Sequence, residues 1–386
     1  MNEQLIKKVM TYKSGQFVFS RKYDDAVISK YLVQVELLYD TVMNVPILPQ
    51  MLVRLDEELI IRSICGTAGI EGNIIDEEKV KQIINGNDQQ KSTERKQREI
   101  ENLKRVYKYI NDLAEKNENN EITEDIIKKC HNIITEGINY NNNSPGQYRN
   151  SKVYVNNEEH GGVDVPPKII EDIRNLMEQF ISWINSEEMK SINPILRAGI
   201  AHYHLSRIHP FADGNGRTVR AIEAFILISS GIKYLPLLLS NYYYKNIDEY
   251  FWAFSNTRNN KEYDISAFLE FVLKGCLESL LEIKTYVFVF INRLVLRDYF
   301  HVLKEKRDIN QRQFDLLNIM LDGNIDFSLP DLLNKSQFKG LYAKRSLKTV
   351  QRDVKNLEKN KLIFLKEEKY LLNINILKSL SFKKLK

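Results

Sequence analysis

The sequence predicts a mainly α-helical protein with a small α+β segment at its C-terminal end. Three observations carry this. Apolar residues recur at three- and four-residue spacings through most of the chain. In the first three quarters only the stretch around Val153, Tyr154 and Val155 reads clearly as strand. From about Ile309 the texture changes to short helices followed by a hairpin pattern.

Taken in order, "KYLVQVELLYDTVM" and "LVRLDEELIIRSI" are helices separated by the two prolines of "MNVPILPQML". The polar run "NGNDQQKSTERKQ" is a loop or helix entry, and "ENLKRVYKYINDLAE" returns to helical spacing. "EKNENNEIT" and "NYNNNSPG" are loops by composition. "GQYRNSKVYVNN" predicts a short hairpin. "VDVPPKIIEDIRNLMEQFISWINS" is a helix entered through prolines. "INPILRAGIAHYHLSRI" is mostly apolar and so a buried central helix, and "TVRAIEAFILIS" is a helix ending at Gly231. At the C-terminal end, "NQRQFDLLNIML" and "SLPDLLNK" are helices. "SLKTVQRDVKNLEKNKLI" places Leu347, Val350, Val354 and Leu357 on one face, and "IFLKEEKYLLNI" forms two strands around a Glu-Glu turn. Three helices and a hairpin in that order make a winged-helix pattern.

With 386 residues, 43% of them hydrophobic, the chain has material for two or three domains. The expected division is a helical N-terminal region (1–103), a core (104–232), a helical extension (233–308) and the winged-helix-like segment (309–386). Cys65, Cys130 and Cys276 lie far apart, which argues against a disulfide framework or a zinc site. The opening "MNEQLIKKVMTYKSG" lacks the apolar run of a signal peptide, and "YVFVFINRLVL" is interrupted by Asn292 and Arg293. The expectation is a cytoplasmic protein with no membrane partner. Lys306 to Lys386 hold 18 Lys and Arg against 9 Asp and Glu, a net of +9, while the remainder carries −4. That asymmetry points to a polyanionic partner, DNA or protein, for residues 309–386. A homo-oligomer stays open.

The densest chemistry lies in "HPFADGNGRTVR", His209 to Arg220. Gly214 and Gly216 let backbone approach a ligand closely, just before a helical run whose free N–H groups favour an anion. Asp213 suits Mg²⁺, which takes one or two carboxylates plus phosphate oxygens. Asn215 offers an amide donor. Arg217 and Arg220, three apart, can grip successive phosphates, and His209 can take a proton near neutral pH. Each residue alone is more often structural. Together they describe a nucleotide polyphosphate site with a base beside it, and so group transfer to a hydroxyl.

This stretch resembles the Fic motif, H-P-F-x-[DE]-G-N-[GK]-R-x-x-R, at every defined position. "SPGQYRNSKVYV" resembles the family's flap. The resemblance covers roughly Met51 to Phe271. It implies a Fic-type helical core with a short β-hairpin flap, and transfer of AMP from ATP to a Ser, Thr or Tyr hydroxyl of a target protein or of the chain itself. His209 is then the general base and Asp213 the Mg²⁺ ligand. Asn215 with the backbone of Gly214 and Gly216 stabilises the α-phosphoryl group. Arg217 and Arg220 bind the β- and γ-phosphates. Phe211 plugs the core, and the hairpin at Val153 and Tyr154 docks the target. Tyr250 and Asn256, in the aromatic-rich stretch that follows, are candidates for the adenine and ribose pocket.

"TAGIEGN", Thr67 to Asn73, resembles the family's inhibitory motif [ST]-x-x-x-E-[GN], in the N-terminal position of its class II. It implies that Glu71 pairs with Arg220 and blocks productive ATP binding. Gly66 and Gly69 make a poor intrinsic helix, so such a brake would be held by tertiary packing. His202 and His204, two apart on a helix, do not share a face and read as core histidines. Two other readings remain open. One is a nucleotide-sensing regulator that binds DNA through Lys348, Thr349, Gln351, Arg352 and Lys355. The other is an enzyme of the same fold that mainly removes AMP.

Overall fold

The computed structural model describes residues 5–47, 49–86, 94–116, 121–138, 143–155 and 158–377. The predicted loops "NGNDQQKSTERKQ", "EKNENNEIT" and "NYNNNSPG" lie partly outside them. The chain divides into two compact units, Met1–Ile283 and Lys284–Lys386.

The first unit opens with an antiparallel hairpin, β1 (Ile6–Met10) and β2 (Gln16–Ser20), closed by a turn at Gly15 with φ 82°. The sequence reading missed this hairpin. Its strands are five residues long, and paired lysines interrupt the apolar pattern of the first. Asp172 fixes the turn by accepting from the backbone N–H groups of Tyr12 (2.7 Å) and Lys13 (3.1 Å). Helices then follow: α1 (Asp25–Met43), α2 (Pro49–Ile70), α3 (Glu77–Ile84), α4 (Glu94–Ala114), α5 (Glu124–Thr135), α6 (Ile170–Ile184), α7 (Glu187–Lys190), α8 (Pro194–Ile208), α9 (Asn215–Ser229), α10 (Leu235–Lys245), α11 (Ile247–Asn259) and α12 (Ser266–Glu305). The division between the two units falls within α12.

Among the described residues the expected hairpin at Val153 and Tyr154 shows one antiparallel bridge, Val155 to Asp164, with N···O distances of 3.0 and 2.8 Å. Arginine at 149 and lysine at 152 interrupt the apolar run there.

Helix α8 carries an almost wholly buried surface and packs on α9, which is buried along most of its length as well. Helices α4 and α5 cover α9 from one side. Helix α2 continues through Gly66 and Gly69 to Ile70 despite their low propensity. It does so because α10 lies against it. A Cβ on Gly66 would sit 2.6 Å from the backbone of Asn241, and one on Gly69 would sit 2.6 Å from the Tyr244 ring.

In the second unit, α13 (Gln311–Gly323), α14 (Leu329–Asn334), α15 (Lys339–Tyr342) and α16 (Leu347–Lys359) precede the antiparallel pair β3 (Ile363–Lys366) and β4 (Lys369–Leu372). Glu367 and Glu368 take the turn with φ of 46° and 65°. Phe300, Leu317, Phe327, Phe338, Val350, Val354 and Leu357 share its core. Leu347, predicted to join that face, is half exposed instead, because at the first helical position it lies beyond the end of the core.

Candidate active site

The end of α8 and the start of α9 create the site. His209 caps α8 in the left-handed region, φ 49° and ψ 60°, with its N–H donating to Leu205 O at 3.0 Å. A non-glycine residue there costs on the order of 1 kcal/mol or more, so surrounding contacts must hold it. Arg149 does so: its Nε donates to His209 O at 2.8 Å and its backbone N–H to Pro210 O at 3.0 Å. Phe211 is fully buried and stacks on His131 with ring centroids 3.7 Å apart. Asn215 then locks the loop. Its Oδ1 accepts from Phe211 N–H at 2.9 Å and its Nδ2 donates to Phe211 O at 2.8 Å. The amide expected to face a phosphate is thus first a backbone clamp, with one Nδ2 hydrogen left over.

Gly214 caps α9 at φ 75°. A Cβ there would lie 2.9 Å from Thr135 Cγ2. A Cβ on Gly216 would overlap Glu71 Oε1. Gly214 therefore needs glycine for room as well as for conformation, whereas helical Gly216 leaves the space that Glu71 occupies.

The charges fall into two groups. Asp213 Oδ1 accepts from the Gly214 N–H and from Arg217 Nη2 at 3.0 Å. Its other carboxylate oxygen has no protein partner among the described residues, which suits a single-carboxylate ligand to a hard cation. Arg217, buried, also faces Glu99 at 3.7 Å. Glu99 in turn accepts from Asn73 Nδ2 at 2.8 Å. The second group is Glu71 and Arg220. Arg220 Nη2 donates to Glu71 Oε1 at 2.7 Å and to Thr67 O at 3.3 Å. Burial disfavours both charges. Arg220 nevertheless holds the Glu71 carboxyl below its ordinary range, and Glu71 raises Arg220 in return.

Burial, helped by the Arg149 charge, lowers the His209 pKa to about 4. The imidazole is neutral at pH 7. Its Nδ1 lies 3.4 Å from Ser206 O, a contact that favours the Nδ1–H tautomer and leaves Nε2 as acceptor.

His209, Asn215, Gly216, Arg220 and Glu71 share the wall of a cavity of about 220 Å³. Val155, Asp164 and Pro166 close one side, and Tyr250, Phe251, Phe254 and Arg258 of α11 close the other. Asp213 and Arg217 lie next to this wall in sequence but not on it. Tyr250 lines this cavity. Its hydroxyl lies 2.8 Å from His202 Nε2. Asn256 does not: it is exposed and outside the lining. Six residues from Tyr250 is 240° around a helix, whereas Phe254 at i+4 shares its face. Val153 is half-buried, and Tyr154 is exposed at 64%. His202 and His204 are core residues, as predicted, with His202 Nδ1 3.0 Å from buried Glu223.

Sequence reasoning missed three residues that set this geometry: Arg149, Glu99 and His131. The last donates from Nε2 to Asp213 O (2.9 Å) and accepts the Gly146 N–H at Nδ1 (2.9 Å). The only advance signal was Arg149's place in the flap-like stretch.

Residues 121–227 match the family model described as Fic/DOC family, so the chain carries a Fic domain. A protein adenylyltransferase Fic from Aedes aegypti is 31% identical over 233 residues, 60% of this chain and 42% of the relative. The chain spans less than half the length of the curated relatives it matches. A solved chain of Fic-1 (aa134–508) from C. elegans superposes with a TM-score of 0.55 at 26% identity, covering 68% of this chain and 73% of that one. A Fic family protein from Desulfovibrio desulfuricans G20 shares the fold over 90% of this chain and 96% of its own, with a TM-score of 0.56 at 19% identity. Among the described residues no helix is long and apolar enough to cross a membrane.

Proposed function

We propose that the chain is a protein adenylyltransferase, transferring AMP from ATP to a Ser, Thr or Tyr hydroxyl of a target protein and of itself. The observation that carries this is a neutral histidine on the same cavity wall as the glycine-bounded N-terminus of α9 and a buried arginine. Curated relatives named protein adenylyltransferase support the same reading.

In this mechanism His209 Nε2 takes the proton of the attacking hydroxyl. The oxygen forms a bond to the α-phosphorus, and pyrophosphate leaves. The Gly214–Gly216 amides and the remaining Asn215 hydrogen stabilise charge developing on the α-phosphoryl oxygens. Arg217 and Arg220 bind the β- and γ-phosphates, the former turning from Asp213 and the latter from Glu71. Asp213 would hold Mg²⁺, which supplies charge neutralisation on the polyphosphate. Glu71 is a brake, since it occupies Arg220 and fills the space over Gly216. Val153 and Tyr154 flank the bridge where a target segment docks. ATP labelled at the α-phosphorus should mark protein, and ATP labelled at the γ-phosphorus should not. No label from either, with the Glu71→Gly variant and a full lysate, would remove the proposal.

A second reading concerns residues 309–386. Helix α16 buries Val350, Val354 and Leu357 and leaves Lys348, Gln351, Arg352 and Lys355 exposed around one shallow depression. Basic and amide side chains on one helix face suit the phosphates and base edges of a DNA major groove. Duplex binding whose salt dependence drops in Arg352→Ala would support it.

A further inference from the structure

A second, smaller cavity of about 120 Å³ lies between the N-terminal hairpin, α8 and the end of α11. Arg207 and Arg258 line both it and the larger cavity. Among the described residues no carboxylate lines it, although Asp164 Oδ2 lies 3.8 Å from Arg258 Nη1. Arg207 stacks over the Phe17 ring, 5.0 Å from its centroid, and has no acidic partner among the described residues. Its Nε is buried without a hydrogen-bond partner.

Two side chains of this cavity have donors to spare. Thr257 Oγ1 accepts from Phe268 N–H at 3.1 Å, which leaves its hydroxyl proton to give. Asn260 Oδ1 accepts from Glu262 N–H at 2.9 Å and Asp264 N–H at 3.4 Å, which fixes the amide orientation and leaves its Nδ2 hydrogens to give. Fully buried His204 also lines the cavity, but its Nε2 donates to Ser20 O at 2.8 Å, so its Nδ1 is an acceptor and adds nothing to the donor set. Two guanidiniums, Arg207 without an acidic partner and Arg258 only 3.8 Å from Asp164 Oδ2, together with two uncommitted donors form a receptor for an anion. The volume equals about four waters at ~30 Å³ each, the scale of one tetrahedral oxyanion.

We propose that this cavity is a second anion site, adjoining the nucleotide cavity and sharing Arg207 and Arg258 with it, that takes a phosphate-class oxyanion between Arg207 and the Thr257–Asn260 end of α11. Arg258 links it to the flap. Its Nη2 donates to Gly161 O at 2.7 Å and Gly162 O at 3.3 Å. An anion drawing on Arg258 competes with those carbonyls and so loosens the segment beside the active site.

The test is a titration of the full chain with inorganic phosphate at constant ionic strength, read by calorimetry and by hydrogen exchange. Saturable binding is expected, with added protection over residues 16–20 and 257–263 and reduced protection over 158–164. Arg207→Ala should weaken binding about tenfold or more, the factor carried by roughly 1.4 kcal/mol. Exposed Asn260→Ala should weaken it in a protein whose melting temperature is unchanged, which covers the case of a misfolded Arg207 variant. Three results would overturn the assignment: no saturable phosphate binding, protection confined to residues 213–217, or undiminished affinity in both variants. Glutamate tried in place of phosphate separates the oxyanion classes. Tighter binding of glutamate would also overturn the phosphate assignment.

Discussion

Arg220 Nη2 and Glu71 Oε1 meet at 2.7 Å in the space that a side chain on Gly216 would need. One carboxylate thus neutralises a buried arginine and covers the start of α9. Removing it in Glu71→Gly should raise self-labelling from α-labelled ATP by about tenfold or more, the factor that 1.4 kcal/mol carries. The same change should destabilise the nucleotide-free protein by about 3–5 kcal/mol, because a buried cation loses its partner. Added ATP should restore much of that stability. Calorimetric melting with and without nucleotide checks both signs. Unchanged labelling would argue against the brake.

His209→Ala should lower labelling about 10²–10⁴-fold while leaving nucleotide affinity nearly unchanged. The imidazole pKa is depressed to about 4, so the base form is fully populated at pH 6 and above. The acid limb of the rate profile should therefore fall near pH 4–5 rather than near 6.5. A limb centred at 6.5 would mean that His209 titrates as an open-solvent histidine.

Stability should fall on the acid side for a related reason. Burial depresses His131 to about 4 and His204 to about 3. The unfolded chain protonates both near 6.5, so it binds more protons than the folded chain below that pH. Their contribution is complete above 6.5 and is lost as pH falls toward the folded values. The slope is about 1.4 kcal/mol per pH unit for each residue. Urea midpoints measured in steps from pH 7 to 4.5 should trace it, and His131→Asn should flatten part of it.

The proposed base, the proposed anion nest and the two arginines were legible because twelve contiguous residues carry them. Glu71 was legible through a short motif, although its contact with Arg220 spans 149 residues of sequence separation. Arg149, His131 and Glu99 were not legible as site residues, since each acts through a fold-dependent contact with the 209–217 stretch. Asn256 lies off the cavity wall: composition marked the helix but not its face. The first hairpin was hidden by consecutive lysines, Lys7 and Lys8, that break the alternation of its first strand, and the glycines of α2 were read as helix weakness when they are the condition for packing on α10.

That packing makes the last prediction opposite to propensity. Gly66→Ala should gain up to about 1 kcal/mol of intrinsic helix stability. The new methyl, however, would meet Asn241 and Ser240 backbone at 2.6 Å, where no flexible side-chain end can yield. Overpacking of this kind costs about 1–3 kcal/mol, so the net effect should be a lower melting temperature. The displacement pushes α2 away from α10 and carries Glu71, just past the helix end, away from Arg220. Labelling should rise as stability falls, and Gly66→Ala combined with Glu71→Gly should label no more than Glu71→Gly alone. An additive rise in the double variant would mean that the seam acts on catalysis by a route other than the brake.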